Sequence, residues 1–406
     1  MTARPLVAPR DLTIPSPGST TARDALSGAI GRAIRDLARL LKAGGGDLEL
    51  RNFRPTLEQL LRESPGALAS VLRAPSVGGL LRCLRRRAPE LEFSAGVSEL
   101  LATIHTDLAF AGALPRVVSQ RRLPARIVSL PARRVIEIPA DTERAEFHNG
   151  SIVLVSQAGR RSELRFEAME GAMEGEMEGE PSFWPITPTL VLAGVDNNPL
   201  AMAEAHPDKS GNQLDLGGRP ASEWTETLAA ALDLIGAYMP ELRAEIDLYL
   251  HQIVPVGYDA EAHLSASYQE VIGTVYMTLH PQLMTMVEAT IHEFQHNKLH
   301  AQLELDPLLH NAFSPLYSSP VRPDPRPLQG VLLAVHAFQP VARLYQLMRA
   351  AGHEATDHPD FQRRYAQIIK GNHEGATVLL EHGNPTPIGQ ALLDEIRRWD
   401  QHDWTT

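Results

Sequence analysis

An apolar run leads directly into the pentapeptide His292-Glu293-Phe294-Gln295-His296, an HExxH motif, and this junction constrains the fold more than any other segment. The run Leu283-Met284-Thr285-Met286-Val287-Glu288-Ala289-Thr290-Ile291 reads as a buried helix, with Val287 and Ile291 one turn apart. Any fold that buries it must also satisfy its histidines, because buried polar groups need partners. Residues four apart share a helix face, about 6 Å apart along the axis. Two imidazoles so placed can converge on one ion at metal–nitrogen distances of about 2.0–2.1 Å. The alternative is a pair of core histidines bonded to backbone. Glu293 follows the first histidine directly, as in zinc peptidases where that glutamate handles the water.

With 16 histidines and 49 acidic residues in 406, the pentapeptide can arise by chance, so the third ligand decides the chemistry. His300 continues the four-residue spacing but lies about 12 Å along the axis from His292, too far to share an ion. It reads as a solvated or supporting residue. The longer metzincin pattern is absent, since Leu299 replaces its glycine and Gln302 its third histidine. Glu354, in the polar stretch Gly352–Asp357, is the only glutamate between residues 305 and 373, and its setting is that of an exposed side chain. His336 stands out instead. It is the only ionisable residue between Leu328 and Arg343 on a strongly apolar helical segment, and reads either as a satisfied core histidine or as the missing ligand.

Ser314–Pro327 precedes that helix and holds five prolines, which argues for a stiff irregular loop. Arg322 and Arg326 in such a loop offer guanidinium groups for bidentate carboxylate binding, or pair with nearby acids such as Asp324.

The combination of IHEFQH, SPLYSSPVRPDPRPLQGVLLAVHAF and NPTPIGQALLDEI resembles the HExxH-motif peptide-modification proteins, α-ketoglutarate-dependent HExxH-type peptide β-hydroxylases, over about Ser265 to Leu393. The resemblance implies a non-haem iron(II) oxygenase that uses O2 and α-ketoglutarate to hydroxylate a β-carbon in a ribosomally made precursor peptide. His292 and His296 match the motif histidines and carry over as metal ligands, and His336 matches the histidine of the HAF segment. Arg322 and Arg326 match the RPDPRP arginines and are the candidates for holding α-ketoglutarate. A three-histidine site would depart from the common two-histidine, one-carboxylate arrangement, which keeps Glu304 and Asp306 open as ligands. Glu293 then belongs to the catalytic site by orienting a ligand or the peptide rather than as a base. Two other readings stand beside this one: a zinc metallopeptidase with Glu293 as general base, and a non-catalytic precursor-peptide binding protein.

The rest of the chain bounds the setting. A net charge of −11 disfavours nucleic acid and suits a cationic leader peptide. Cys83 is the only cysteine, which excludes disulfides and cysteine metal clusters. With no apolar signal region and no run approaching about 18 apolar residues, no membrane association and a cytoplasmic location are expected. The fold expected is α+β and predominantly helical. Residues 1–22 read as a loose arm and 23–115 as a helical region whose basic stretch Arg82–Arg87 forms a solvated face. Residues 116–200 read as a small β-rich region with a flexible Met-Glu-Gly loop at 168–180. Residues 201–406 form the metal-binding region, with His251–Val256 and Val271–Leu279 as strands before the motif helix. By analogy with zincin-like folds, the second of these would be an edge strand open to an extended peptide.

Overall fold

Proline, aspartate and glycine punctuate the first hundred residues. The computed structural model, which describes residues 10–44, 46–166, 181–203, 211–319 and 322–404, follows that punctuation. Helix α1 (Thr21–Ala43) stops at Gly44, and α2 (Leu48–Glu63) starts where the Asp47 carboxylate accepts from the Glu49 and Leu50 amides. Pro65 and Pro75 open α3 (Pro65–Arg73) and α4 (Pro75–Arg86), positions where a missing amide costs little. Helix α5 (Phe93–Phe110) follows, buried along most of its length.

Six strands come next: β1 (Val118–Gln120), β2 (Arg126–Ser129), β3 (Arg134–Glu137), β4 (Thr142–His148), β5 (Ser151–Ser156) and β6 (Arg161–Arg165). The Asn149-Gly150 turn joins β4 to β5, with Gly150 at φ 85°, a conformation glycine adopts without strain. β1, β4, β5 and β6 form an antiparallel sheet, while β2 and β3 pair separately. Phe53, Leu101 and Ile104 pack with Phe147 and Ile152 in one core. At the pattern change near residue 116 helices give way to strands, and the helices and the sheet bury their apolar faces against each other.

A second sheet draws strands from both sides of residue 200. β7 (Phe183–Pro185) and β8 (Val191–Ala193) join β9 (Gln252–Tyr258), β10 (Ser265–Ala266) and β11 (Thr274–Leu279) in a sheet of order β10-β11-β9-β8-β7. Between β8 and β9 lie α6 (Ala221–Tyr238) and α7 (Pro240–Tyr249), a crossover of the kind that parallel pairing requires. β11 is fully buried between β9 and β10, so it is not the edge strand expected of Val271–Leu279. The edge is the two-residue β10.

The motif helix, α8 (Leu283–Leu303), runs through this second core, with Met286, Val287, Ile291 and Phe294 packed against Trp224, Leu228 and Val341. Each such side chain stabilises the fold by roughly 1.5–3 kcal/mol on burial. β12 (Leu316–Ser319) and β13 (Arg322–Pro327) form a hairpin, which corrects the irregular loop expected there. Pro323, Pro325 and Pro327 alternate along β13, so their missing amides fall on one side of the strand and leave the other side free to pair. Helix α9 (Leu328–Ala350), a 3-10 turn (Glu354–Asp357), α10 (Pro359–His382) and α11 (Pro387–Asp400) complete the chain. Among the described residues, eleven α-helices and small sheets make the fold mixed α+β, and 52% of these residues are helical. The Met-Glu-Gly segment lies outside the described residues. Among the described residues no single helix is long and apolar enough to cross a membrane.

Of the arm expected to be loose, residues 1–9 lie outside the described residues, and residues 11–14 are bound. Leu12, Thr13 and Ile14 are buried, and the Glu395 carboxylate on α11 accepts from the Leu12 amide, the Thr13 amide and the Thr13 hydroxyl. The Lys298 ammonium on α8 donates to the Asp11 and Thr13 carbonyls and to Glu245 at 2.8 Å. The basic stretch is a solvated face only in part: Arg86 and Arg87 are exposed, while Arg82 and Arg85 turn inward. Arg85 forms a bidentate pair with Glu304, the residue capping the end of α8, at 2.6 and 2.8 Å, and Arg82 is buried beside them. Burial alone would raise the Glu304 carboxyl, but Arg85, Arg82 and Arg32 hold it below its ordinary range. This ion-pair cluster ties the N-terminal unit to the motif helix.

Candidate metal centre

Helical periodicity brings His292 and His296 to one face of α8, their ring centroids 4.3 Å apart. Glu293 joins them: one candidate ligand atom from each of the three side chains lies within 4.8 Å of the others. The reading of the histidines as core residues bonded to backbone does not hold. The Nδ1 atoms of both rings are buried without a partner, and neither side chain makes a hydrogen bond to the described residues. Burial pushes both imidazoles down to about 3, with the neighbouring His296 adding to the effect on His292 and His300 to that on His296. Both are therefore neutral near pH 7, the form that binds a metal. Unpartnered neutral imidazoles facing one another beside a carboxylate fit a divalent transition metal.

Glu293 is 2% exposed and held from one side. Ser267, just after β10, donates to Glu293 Oε2 at 2.5 Å. Asn297, one turn further along α8, donates to the Glu293 carbonyl at 2.9 Å and to Ser267 Oγ at 3.2 Å, while its own carbonyl oxygen accepts from the Gly273 amide at 2.6 Å. Gly273 sits at φ 104°, and a Cβ there would press on Pro75 and the Tyr249 carbonyl, so this turn requires glycine. One asparagine thus connects the motif helix to both the β10 segment and the turn before β11.

His336 lies on α9, fully buried, its Nε2 donating to the Leu12 carbonyl at 2.9 Å and its Nδ1 without a partner. A ring nitrogen anchored on a backbone carbonyl is how metal-bound histidines are usually oriented. His336 is nevertheless outside the three-residue group around His292. Burial, reinforced by Lys298, pushes it down to about 3. His300 is buried rather than solvated, its ring 6.3 Å from that of His296. Glu304 and Asp306 are committed elsewhere, Glu304 to its arginines and Asp306 to the Leu308 amide and the Thr386 hydroxyl. Glu354 is exposed in the 3-10 turn.

The arginine hairpin is placed as follows. Arg326 Nε pairs with Asp324 at 2.8 Å. Arg322 lies in β13, and its side chain is outside the described residues. The arginine that the fold brings toward the histidine pair is Arg364 on α10, whose guanidinium lies 5.6 Å from the Phe338 ring, itself 4.8 Å from the His292 ring. Neither Arg364 nor Ser267 carries a signal in the sequence. Arg364 sits among polar residues on an amphipathic helix, and Ser267 reaches Glu293 only through chain packing. No protein-family model matches the chain, and no curated protein matches it in sequence.

Proposed function

We propose that the protein is a non-haem iron(II), α-ketoglutarate-dependent oxygenase that hydroxylates a β-carbon of a residue in a ribosomally synthesised precursor peptide. The observation carrying the metal site is the pair of half-buried imidazoles, their Nδ1 atoms buried and unpartnered, with the buried Glu293 beside them. The choice of oxygenase over hydrolase rests on the sequence resemblance across Ser265–Leu393. His292 and His296 would hold the ion. His336, with a free Nδ1 and an anchored Nε2, is the proposed third ligand. When bound, the iron and its two co-reactants supply the oxidation: one oxygen atom of O2 enters the peptide C–H bond, the other enters succinate, and CO2 leaves. The chain's own residues supply position. Ser267 and Asn297 fix Glu293, and the short edge strand β10 offers backbone groups to an extended peptide beside Glu293.

Anaerobically purified protein, given iron(II), α-ketoglutarate, O2 and the peptide encoded beside its gene, is expected to yield succinate and a peptide heavier by one oxygen atom. Peptide cleavage with zinc alone would overturn the proposal. It would support the zinc metallopeptidase reading, which the Ser267-held Glu293 beside the histidines favours.

A further inference from the structure

Helices α9 and α10 enclose a cleft of about 470 Å³ beside the candidate metal centre. Its walls include Val335, Phe338 and Ile368, and its polar lining includes Arg364, Asn372 and Lys370. Phe338 connects it to the site, since the same ring lies 4.8 Å from that of His292.

Two polar groups in this cleft have unused hydrogen-bonding capacity. Glu288 accepts from Arg364 Nε at 2.9 Å and from Nη2 at 2.7 Å, and also from the Tyr345 hydroxyl. This fixes the plane of the guanidinium and leaves Nη1 with no partner among the described residues. Asn372 is 8% exposed, and its Nδ2 is buried without a partner. An unused amide donor in a buried wall normally costs stability, so it points to a ligand. Lys370 is exposed and only loosely paired with Glu374, at 3.7 Å.

We infer that this cleft binds a terminal carboxylate of a short dicarboxylic acid, with Arg364 Nη1 and the Asn372 amide as its donors and Val335, Phe338 and Ile368 against its methylenes. Fixed donors in an apolar-walled cleft hold a carboxylate more strongly than mobile ones, because little ordering entropy is lost on binding. Taken with the proposed function, on which this last step rests, the acid is α-ketoglutarate. Arg364, rather than Arg322 or Arg326, then grips the carboxylate remote from the metal.

The test separates the cleft from the reaction. Glutarate, which lacks the keto group, is titrated into metal-free protein and followed by ligand-observed NMR. α-Ketoglutarate is titrated anaerobically into iron(II)-loaded protein and followed by absorbance. Both are repeated with Arg364→Lys, with Asn372→Ala, which leaves the ion pair intact, and with the charge-balanced pair Arg364→Gln and Glu288→Gln. Thermal melting and iron content confirm that each variant is folded and loaded. Losing a hydrogen bond to a charged group predicts about ten- to hundredfold weaker glutarate and α-ketoglutarate binding, with pyruvate, which lacks the second carboxylate, unaffected. Wild-type affinity in all folded variants, or no glutarate binding to wild type, would overturn the inference while leaving the hydroxylase reading intact. Arg364-dependent glutarate binding would sustain it even if no peptide is hydroxylated. Displacement of glutarate by N-acetylaspartate amide but not by α-ketoglutarate would also overturn it, by assigning the cleft to an acidic peptide side chain.

Discussion

Helices α5 and α8 both carry histidines with buried ring nitrogens next to buried carboxyl groups, yet they treat them differently. On α5, His105 is packed between Phe53 and Phe147, with its Nδ1 3.0 Å from the Gln120 amide oxygen, and Asp107 accepts from Ser129. On α8, His292 and His296 face each other with no hydrogen-bond partner among the described residues, and Glu293 is held from behind. Burial is common to both helices. His105 Nε2 and Asp107 Oδ2 are also buried without a partner, so what distinguishes the ligand set from the core histidine is convergence of two imidazoles and a carboxylate on one point.

The strongest way to break this comparison is to measure metal. His292→Ala and His296→Ala are each expected to weaken binding of iron(II) or zinc by more than about 100-fold, beyond the loss typical of supporting residues. His105→Ala should keep the metal and instead destabilise the fold by about 2–4 kcal/mol as a core truncation. Metal analysis after dialysis, with urea unfolding in parallel, reads both, and metal loss in His105→Ala would erase the distinction. His336→Ala sharpens it further: retained iron stoichiometry would make His336 a residue that only ties down Leu12.

The next effect concerns what holds α8 in place. Arg85→Ala leaves Glu304 buried and short of its main partner, for a loss of about 3–5 kcal/mol in urea unfolding. A change below about 1 kcal/mol would mean that the cluster behaves as a surface pair. Ser267→Ala removes the one side-chain donor to the Glu293 carboxylate among the described residues. It should lower turnover or metal affinity by about 10–100-fold with the fold intact, whereas unchanged values would show that Glu293 needs no support.

Acidification separates the two helices more gently. Burial lowers His292, His296, His300 and His336 to about 3, so each takes up a proton on unfolding. Their contribution is complete above the ordinary histidine value of 6.5 and is lost as pH falls toward 3. On α5, burial lowers His105 to about 4 but raises Asp107 to about 7. Asp107 favours folding as pH falls through 7, so the two largely offset. Amide hydrogen exchange at pH 7 and pH 5, corrected for intrinsic rates, should show α8 losing protection while α5 changes little. Equal loss in both would refute the assignment. The smallest effect belongs to the hairpin, where Arg326→Ala should change stability by less than about 1 kcal/mol, because its partner Asp324 is exposed.

Much of the local structure was legible in the sequence. The spacing of Val287, Ile291, His292 and His296 dictated a buried helix with both imidazoles on one face. The Asn149-Gly150 turn, the end of α1 at Gly44 and the helix beginning near Leu328 followed from chemistry at those positions. Apart from the proline segment, whose hairpin pairing is local, the misreadings share a cause: a segment was judged by composition where a distant partner decided. Arg82 and Arg85 looked solvated until Glu304 came to meet them. The arm at Leu12–Ile14 looked loose until Glu395, Lys298 and His336 bound its backbone.

The sequence by itself determined that two histidines four apart would share a buried helix face, because a helical repeat of about 3.6 residues leaves no other arrangement. Only the tertiary structure decided that their Nδ1 atoms stay unpartnered, that Ser267 holds Glu293 beside them, and that Arg364 of α10 reaches toward them across Phe338. Those outcomes depend on which elements pack together over separations of tens to hundreds of residues. Local periodicity carries no such information.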